Sequence, residues 1–156
     1  MTGSPYGMTI FCDDIREEVG GKQSLIGCYN NEMNFSVAAP ATLPMLCGAV
    51  NILIPIGFLF ERLDLVINKE DGPETTLLMK VSFESSDMPV PIDVEVGDLK
   101  DEPRYIGLSF PWKMQPFHVG GPCLVRVRGY FDSTEVRLGS LKIAFKHDDV
   151  APTASE

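Results

Sequence analysis

The stretch from Leu124 to Phe131 reads LVRVRGYF, and its side chains alternate between apolar and polar. On an extended chain, two valines and Phe131 fall on one face, whereas two arginines and Tyr130 fall on the other. A repeat of two residues is typical of a strand with one buried face. The stretch from Leu138 to Phe145 alternates in the same way, and the polar connection at 132–135 is typical of a turn. The two stretches predict a C-terminal β-hairpin.

The same pattern predicts further strands along the chain. No segment keeps a helical apolar repeat over several turns, so we expect at most one short helix, near residues 31–35 or 98–102. Hairpin spacing predicts an all-β fold, an antiparallel two-sheet β-sandwich of about eight strands, immunoglobulin-like or C2-like in architecture. In the strand at 75–83, Leu77 and Met79 are expected to face the core. The predicted strands are Thr9–Glu17, Lys22–Tyr29, Leu46–Ile54, Arg62–Asn68, Thr75–Phe83, Val90–Val96, Tyr105–Phe110, Leu124–Phe131 and Leu138–Phe145.

Length and composition predict a single domain. The chain has 156 residues, of which 44% are hydrophobic, as in ordinary globular proteins. Without an internal repeat or a long linker, residues 8–147 form one domain, and residues 1–7 and 148–156 are expected to be mobile tails. The longest apolar stretch, Cys47–Phe60, has 14 residues, short of the ~20 that a membrane-spanning helix needs. We therefore expect a soluble, cytoplasmic protein.

The net charge of −9 argues against nucleic acid and anionic membrane as partners, because both attract basic surfaces. The charges are also segregated: residues 61–102 carry a net charge of −8 and residues 104–146 a net charge of +5. This segregation has two interpretations. Either a dipolar surface steers an oriented contact, or opposite charges pair across neighbouring strands.

The four cysteines, Cys12, Cys28, Cys47 and Cys123, are widely spaced. Structural zinc sites usually have paired ligands at short spacing, so we expect no zinc and four buried thiols. One alternative concerns the first hairpin. If its turn has three residues, at 19–21, Cys12 and Cys28 lie opposite each other and a disulfide becomes feasible.

The sequence contains no pattern of residues that is typical of a catalytic site. Neither His118 nor His147 belongs to a recognisable nucleophile–base arrangement. Ser109 lacks the second glycine of a GxSxG elbow, and Gly20–Ser24 lacks the spacing of a phosphate-binding loop. We therefore predict that the protein is not an enzyme and needs no cofactor.

Acidic residues raise the question of a cation site. Asp13, Asp14, Glu17 and Glu18 cluster in the first hairpin, but neighbours on a strand face opposite ways, which prevents their convergence. A calcium-binding sandwich would instead need several turn acids at one end. The turn acids are Asp71, Asp98, Asp101 and Asp132. A domain that binds calcium or a small molecule is therefore the alternative function.

Two apolar segments are candidate partner-binding sites. Residues 110–117 read FPWKMQPF, and an exposed Trp112, Met114 and Phe117 would form an anchor of the kind enriched in interfaces. Alternatively, this segment crosses between the sheets and closes the end of the sandwich. The run 54–60, IPIGFLF, poses the same question for Phe58 and Phe60.

By elimination, the sequence predicts a non-enzymatic protein-interaction or structural module. Its partner is another protein or a second copy of the chain. A component of a larger assembly, such as a virion, is one concrete form of this function, by analogy of fold.

The opening segment 11–29, FCDDIREEVGGKQSLIGCY, resembles an uncharacterised bacterial family of domains of unknown function that start with a similar hairpin. The likeness continues in Ala41–Pro44 and in the C-terminal hairpin. The resemblance implies a β-sandwich and supplies no activity, substrate or catalytic residues.

Overall fold

The computed structural model describes residues 3–89 and 104–146. Within these ranges the chain forms strands joined by turns, together with one turn of 3-10 helix at Ser85–Asp87. The predicted strand at 90–96 and the predicted helix position at 98–102 lie outside the described residues. The strands are β1 Tyr6–Glu18, β2 Lys22–Cys28, β3 Glu32–Phe35, β4 Ala41–Leu43, β5 Leu46–Pro55, β6 Arg62–Asp71, β7 Glu74–Glu84, β8 Tyr105–Met114, β9 Phe117–Val119, β10 Cys123–Phe131 and β11 Thr134–Phe145.

The strands form two main sheets. The four-stranded sheet has the order β2-β1-β5-β8, and the five-stranded sheet has the order β3-β11-β10-β6-β7. β4 and β9 form a separate two-stranded sheet. All neighbouring strands are antiparallel except β3 and β11, which are parallel. The all-β antiparallel sandwich predicted from the sequence is confirmed.

The first hairpin has the predicted turn. Glu18 lies opposite Lys22, so three residues connect β1 and β2, and Cys12 lies opposite Cys28. β1 begins earlier than the predicted domain boundary at residue 8, since Tyr6 is already paired with Leu53 of β5. Residues 6 and 7 therefore belong to the sheet and not to a tail.

β-Bulges change which residues face the core. In β11, Gly139 has φ 112° beside a register shift, and this extra residue lets both Leu138 and Leu141 be buried. A second shift lies between β6 and β7, where Leu77 is 58% exposed and Leu78 packs on the core instead. The prediction that Leu77 faces the core is wrong, because simple alternation does not reveal a bulge.

The helix expected near residues 31–35 is also absent, because Glu32–Phe35 is strand β3. β3 pairs in parallel with β11, so that Phe35 lies opposite Phe145. The two rings stack with their centroids 4.9 Å apart. Four residues are too few for alternation to distinguish a strand from a short helix, and the distant partner decides the outcome.

The core lies between the inner faces of the two sheets. Phe11 of β1 meets Trp112 of β8 edge to face at 6.0 Å, and Phe83 of β7 meets Phe110 of β8 across the sheets at 5.9 Å. Opposite charges pair on the outer face of the five-stranded sheet. Arg126 Nη2 lies 3.2 Å from Glu70 Oε2, and Arg128 Nε lies 3.0 Å from Glu135 Oε1. Of these two pairs, Arg126–Glu70 joins the acidic segment 61–102 to the basic segment 104–146, as the second interpretation predicts.

Candidate partner-binding surface

The aromatic segment at 110–117 lies mostly inside the sandwich. Trp112 is 2% exposed and Phe117 is 3% exposed, while Met114 is partly buried. β8 continues to Met114, and β9 then brings Phe117 back to the core. Of the two alternatives, the exposed anchor is therefore wrong for Trp112 and Phe117, since both side chains are buried in the core.

The loop between β5 and β6 is apolar and only partly covered. Phe58 and Phe60 contact the buried Phe131 edge to face, with centroid distances of 5.6 and 5.0 Å. Both rings thus anchor the loop to the end of the core. Leu59, between them, is 91% exposed, and Ile56 is 41% exposed. In this loop, which the sequence offered as a candidate, the most accessible apolar side chain is Leu59 and not either phenylalanine.

Asp132 fixes this loop from the β10–β11 turn. Its carboxylate accepts hydrogen bonds from the backbone N–H groups of Glu61 and Arg62, at 3.2 and 3.0 Å. Its own backbone N–H donates to the Arg62 carbonyl at 2.9 Å. Asp132 adopts a left-handed conformation, φ 53°, which aspartate tolerates better than most residues. This turn acid has a structural role.

A pocket of about 340 Å³ opens beside the anchored loop. Ser85 contributes a hydroxyl to an otherwise largely apolar wall. The pocket is lined by Ile54, Pro55, Ile56, Gly57, Phe58, Leu59, Phe60, Ser85, Met88 and Ile106.

The outer face of the four-stranded sheet is the second exposed apolar surface. Along β1, β5 and β8, the outward positions carry no charge until Lys113 at one end. Met8 is 57% exposed and Tyr6 is 51% exposed, and the Tyr6 ring meets that of Tyr105 at 5.6 Å. We call this surface the uncharged face. It comprises Tyr6, Met8, Ile10, Ala49, Asn51, Leu53, Tyr105, Gly107, Ser109 and Pro111.

A sheet with one solvated face usually alternates apolar and polar residues, and the five-stranded sheet does so with charged side chains. The uncharged face departs from this pattern. It was not predicted from the sequence, although a signal was present: residues 6–12, 46–55 and 105–114 contain one charged residue, Lys113. The signal becomes visible only when the topology shows that these three stretches are neighbours.

Lys113 lies at one end of the uncharged face. Its ammonium donates to the Ile15 carbonyl at 2.6 Å and to the Asp14 carboxylate at 3.2 Å, so its side chain crosses β5 over Cys47. The hydrogen bond from Lys113 is the main reason that the pKa of Asp14 is lowered. Cys12 and Cys47, which lie in the same cross-strand row as Lys113, are fully buried.

The residues considered for chemistry do not come together. His118 is exposed in β9, with Nδ1 2.9 Å from the Thr42 hydroxyl, and Ser109 is exposed on the uncharged face. Asp13 accepts a hydrogen bond from the Tyr29 hydroxyl, and burial followed by this bond raises the Tyr29 pKa. Among the described residues, no group of three or more His, Cys, Asp or Glu side chains could hold a metal ion. His147, Asp98 and Asp101 lie outside those residues.

No protein-family model matches the chain, and no curated protein matches it. Neither comparison bears on the resemblance of the opening hairpin, which stays a prediction. Across residues 3–89 and 104–146, no helix is long and apolar enough to cross a membrane.

Proposed function

We propose that the protein is a non-enzymatic interaction module that binds a protein partner through the uncharged face and the adjoining β5–β6 loop. Self-association is the simplest form, and a larger assembly such as a virion is another. The observation that carries the proposal is the outer surface of three adjacent strands, which is free of charge over residues 6–12, 46–55 and 105–112. Exposed contiguous apolar surface of this kind typically marks an interaction site.

The chemistry of the surface favours protein over other partners. Tyrosine and methionine are enriched in protein interfaces, and Tyr6, Met8 and Tyr105 are all exposed here. A surface without basic residues offers nothing to phosphate groups. Three strands over about seven residues present roughly 350 Å². Since a stable interface buries ~800 Å² per partner, we infer that Ile56 and Leu59 of the adjoining loop extend the contact.

The test uses exposed residues with matched controls. Met8→Glu places a carboxylate on the uncharged face, and Leu77→Glu places one at an equally exposed site of the other sheet. Leu59→Ser is paired with Val19→Ser, because Val19 is 94% exposed in the first hairpin turn. The molar mass over a concentration series is measured by light scattering, and each variant is checked for an unchanged melting temperature.

We expect Met8→Glu to weaken association about 100-fold or more, because a carboxylate buried without a partner costs several kcal/mol. Leu77→Glu should associate like the wild type. If the wild type is monomeric, the same four variants are compared for capture of one defined protein from host lysate. A chain that neither self-associates nor captures a partner in a Met8-dependent or Leu59-dependent way would refute the proposal.

The pocket beside Phe58 supports a second candidate function, the binding of a small apolar molecule. Its volume of about 340 Å³ lies in the range of ligand sites. A thermal-shift panel of uncharged apolar compounds tests it, since a ligand of the folded state raises the melting temperature. Met88→Glu should abolish such a shift, whereas Met8→Glu should leave it unchanged.

A further inference from the structure

Three of the four cysteines lie in one row across the four-stranded sheet. Cys12 of β1 lies opposite Cys28 of β2 on one side and opposite Cys47 of β5 on the other. Directly opposed residues of antiparallel strands point to the same face, so the three thiols are lateral neighbours. Lys113 of β8 lies opposite Cys47 and ends the row.

The Cys12–Cys28 pair has the spacing that a disulfide needs. The backbone N–H of Tyr29 donates to the Phe11 carbonyl at 2.8 Å, which makes the adjacent Phe11–Tyr29 pair a hydrogen-bonded pair. Cys12 and Cys28 therefore form the closer, non-hydrogen-bonded pair, in which Cα atoms are about 4.5 Å apart. Disulfides span Cα separations of about 4.4–6.8 Å. The bond can form without separating the strands.

The three thiols differ in access. Cys28 is exposed, which corrects the expectation that all four cysteines are buried, whereas Cys12 and Cys47 have no exposed surface. Burial raises the pKa of Cys12 to about 11 and also raises the pKa of Cys47. The Cys47 thiol is oriented toward the Asp13 carbonyl, 3.7 Å away. A dissolved oxidant therefore meets Cys28 first.

We propose that Cys28 and Cys12 form a reversible thiol–disulfide exchange site for low-molecular-weight disulfides such as oxidised glutathione. The Cys28 thiolate attacks one sulfur of oxidised glutathione, which forms a mixed disulfide and releases one glutathione thiolate. The Cys12 thiolate then attacks the Cys28 sulfur, forms the Cys12–Cys28 bond and releases the second glutathione thiolate. Two protein thiols are oxidised, one glutathione disulfide is reduced to two thiols, and solvent takes up the balance of protons.

The bond would fasten an element that packing holds weakly. β2 lies at the edge of the described four-stranded sheet and contains no fully buried residue, although Leu25 packs against the cluster around Cys12. A cross-link at the end of β2 closes the hairpin loop covalently and restricts the unfolded chain. Oxidation is therefore expected to raise the melting temperature by on the order of 5 °C, reversibly.

The test treats the native, fully reduced protein with oxidised glutathione and follows intact mass and peptide maps. In the wild type we expect a final product lighter by two hydrogens, with Cys12 linked to Cys28. Cys12→Ala should stop at one glutathione on Cys28, and Cys28→Ser should stay unmodified. Cys123→Ser serves as the control and should react like the wild type.

A second readout does not depend on the folding of variants. In the wild type, Cys12 converts the Cys28–glutathione mixed disulfide into the Cys12–Cys28 disulfide. The rate of this step should rise about tenfold per pH unit between pH 7 and 9, because Cys12 must lose its proton. A dominant Cys12–Cys47 link, an intermolecular Cys28 dimer, a pH-independent second step or no reaction of the folded protein would each overturn the proposal.

Discussion

Gly48 of β5 and Trp112 of β8 are direct cross-strand partners, and the indole occupies the space above the glycine. A Cβ atom on Gly48 would overlap Cε2 and Cζ2 of Trp112. The absence of a side chain at residue 48 thus allows the only tryptophan to lie against the sheet backbone, edge to face with Phe11. The pairing explains why a large aromatic residue on β8, the last strand of this sheet among the described residues, is almost fully buried.

Gly48→Ala should destabilise the fold by about 1–3 kcal/mol, because the added methyl group displaces the indole from a packed position. Gly107→Ala in the same sheet is the control, since its Cβ would meet only Leu53 Cδ2 at an ordinary 3.9 Å. Urea denaturation measures both free energies of unfolding. In a Trp112→Ala background the Gly48→Ala cost should largely vanish, and an unchanged cost would disprove the contact.

Trp112 itself tests the burial of the aromatic segment. Trp112→Ala should cost about 3–5 kcal/mol of stability, since it leaves a cavity between the sheets. Trp112→Phe should cost much less, because the indole Nε1 is buried without a hydrogen-bond partner among the described residues, so its loss removes an unsatisfied group. Denaturant unfolding gives both values. If Trp112→Ala and Trp112→Phe lowered the free energy of unfolding equally, the cavity between the sheets would not explain the loss of stability.

Asp132 joins the β10–β11 turn to the β5–β6 loop. Asp132→Ala removes two backbone hydrogen-bond acceptor contacts and places alanine at a left-handed φ, so we expect a loss of about 2–3 kcal/mol. Asp132→Gly relieves the backbone strain alone and should lose less. Asp132→Asn keeps one acceptor oxygen and tolerates the conformation, so it should be the mildest of the three. Thermal denaturation should give this order, and a different order would contradict the assigned role.

The fall in the free energy of unfolding at acid pH should depend on Asp14 and Asp64. Hydrogen bonds from Lys113 to Asp14, and from Ser82 and then Arg62 to Asp64, lower the pKa of each carboxyl below its usual 3.8. A carboxyl group whose pKa is lower in the folded than in the unfolded state stabilises the fold at pH values above its unfolded-state pKa. This stabilisation is lost as the pH falls through its folded-state pKa. Asp14→Asn and Asp64→Asn should therefore flatten the fall in stability below pH ~4. Glu17→Gln, at an exposed position of β1, is the control for removal of a carboxylate.

Alternation predicts most of this fold. The strands from Leu124 to Phe131 and from Arg62 to Asn68 are where period-two patterning places them, because one face of each packs on the core. Alternation gives the wrong inward-facing residues at a β-bulge, where one strand contains an extra residue. Gly139 and the shift after Ile67 move Leu138 and Leu78 inward. A glycine inside a strand pattern can signal a bulge, as Gly139 does, but no residue of that kind marks the shift beside Leu78.

The candidate surface was harder to predict for a different reason. Exposure depends on what a distant strand covers, so Trp112 and Leu59 could not be ranked from their own neighbours in sequence. Leu59 stands outward because the flanking phenylalanines both reach Phe131. The uncharged face needs the order β1-β5-β8, which joins three segments that are far apart along the chain.

The parallel pairing of β3 with β11 also sets an order of events during synthesis. Glu32 lies opposite Lys142, so β3 leaves the ribosome long before β11, its partner among the described strands, exists. Until β11 is translated, Met33 and Phe35 belong to an unpaired, partly apolar segment. The five-stranded sheet can therefore be completed only after β11 has been translated, and a nascent chain that stalls before β11 exposes this segment to chaperones and proteases.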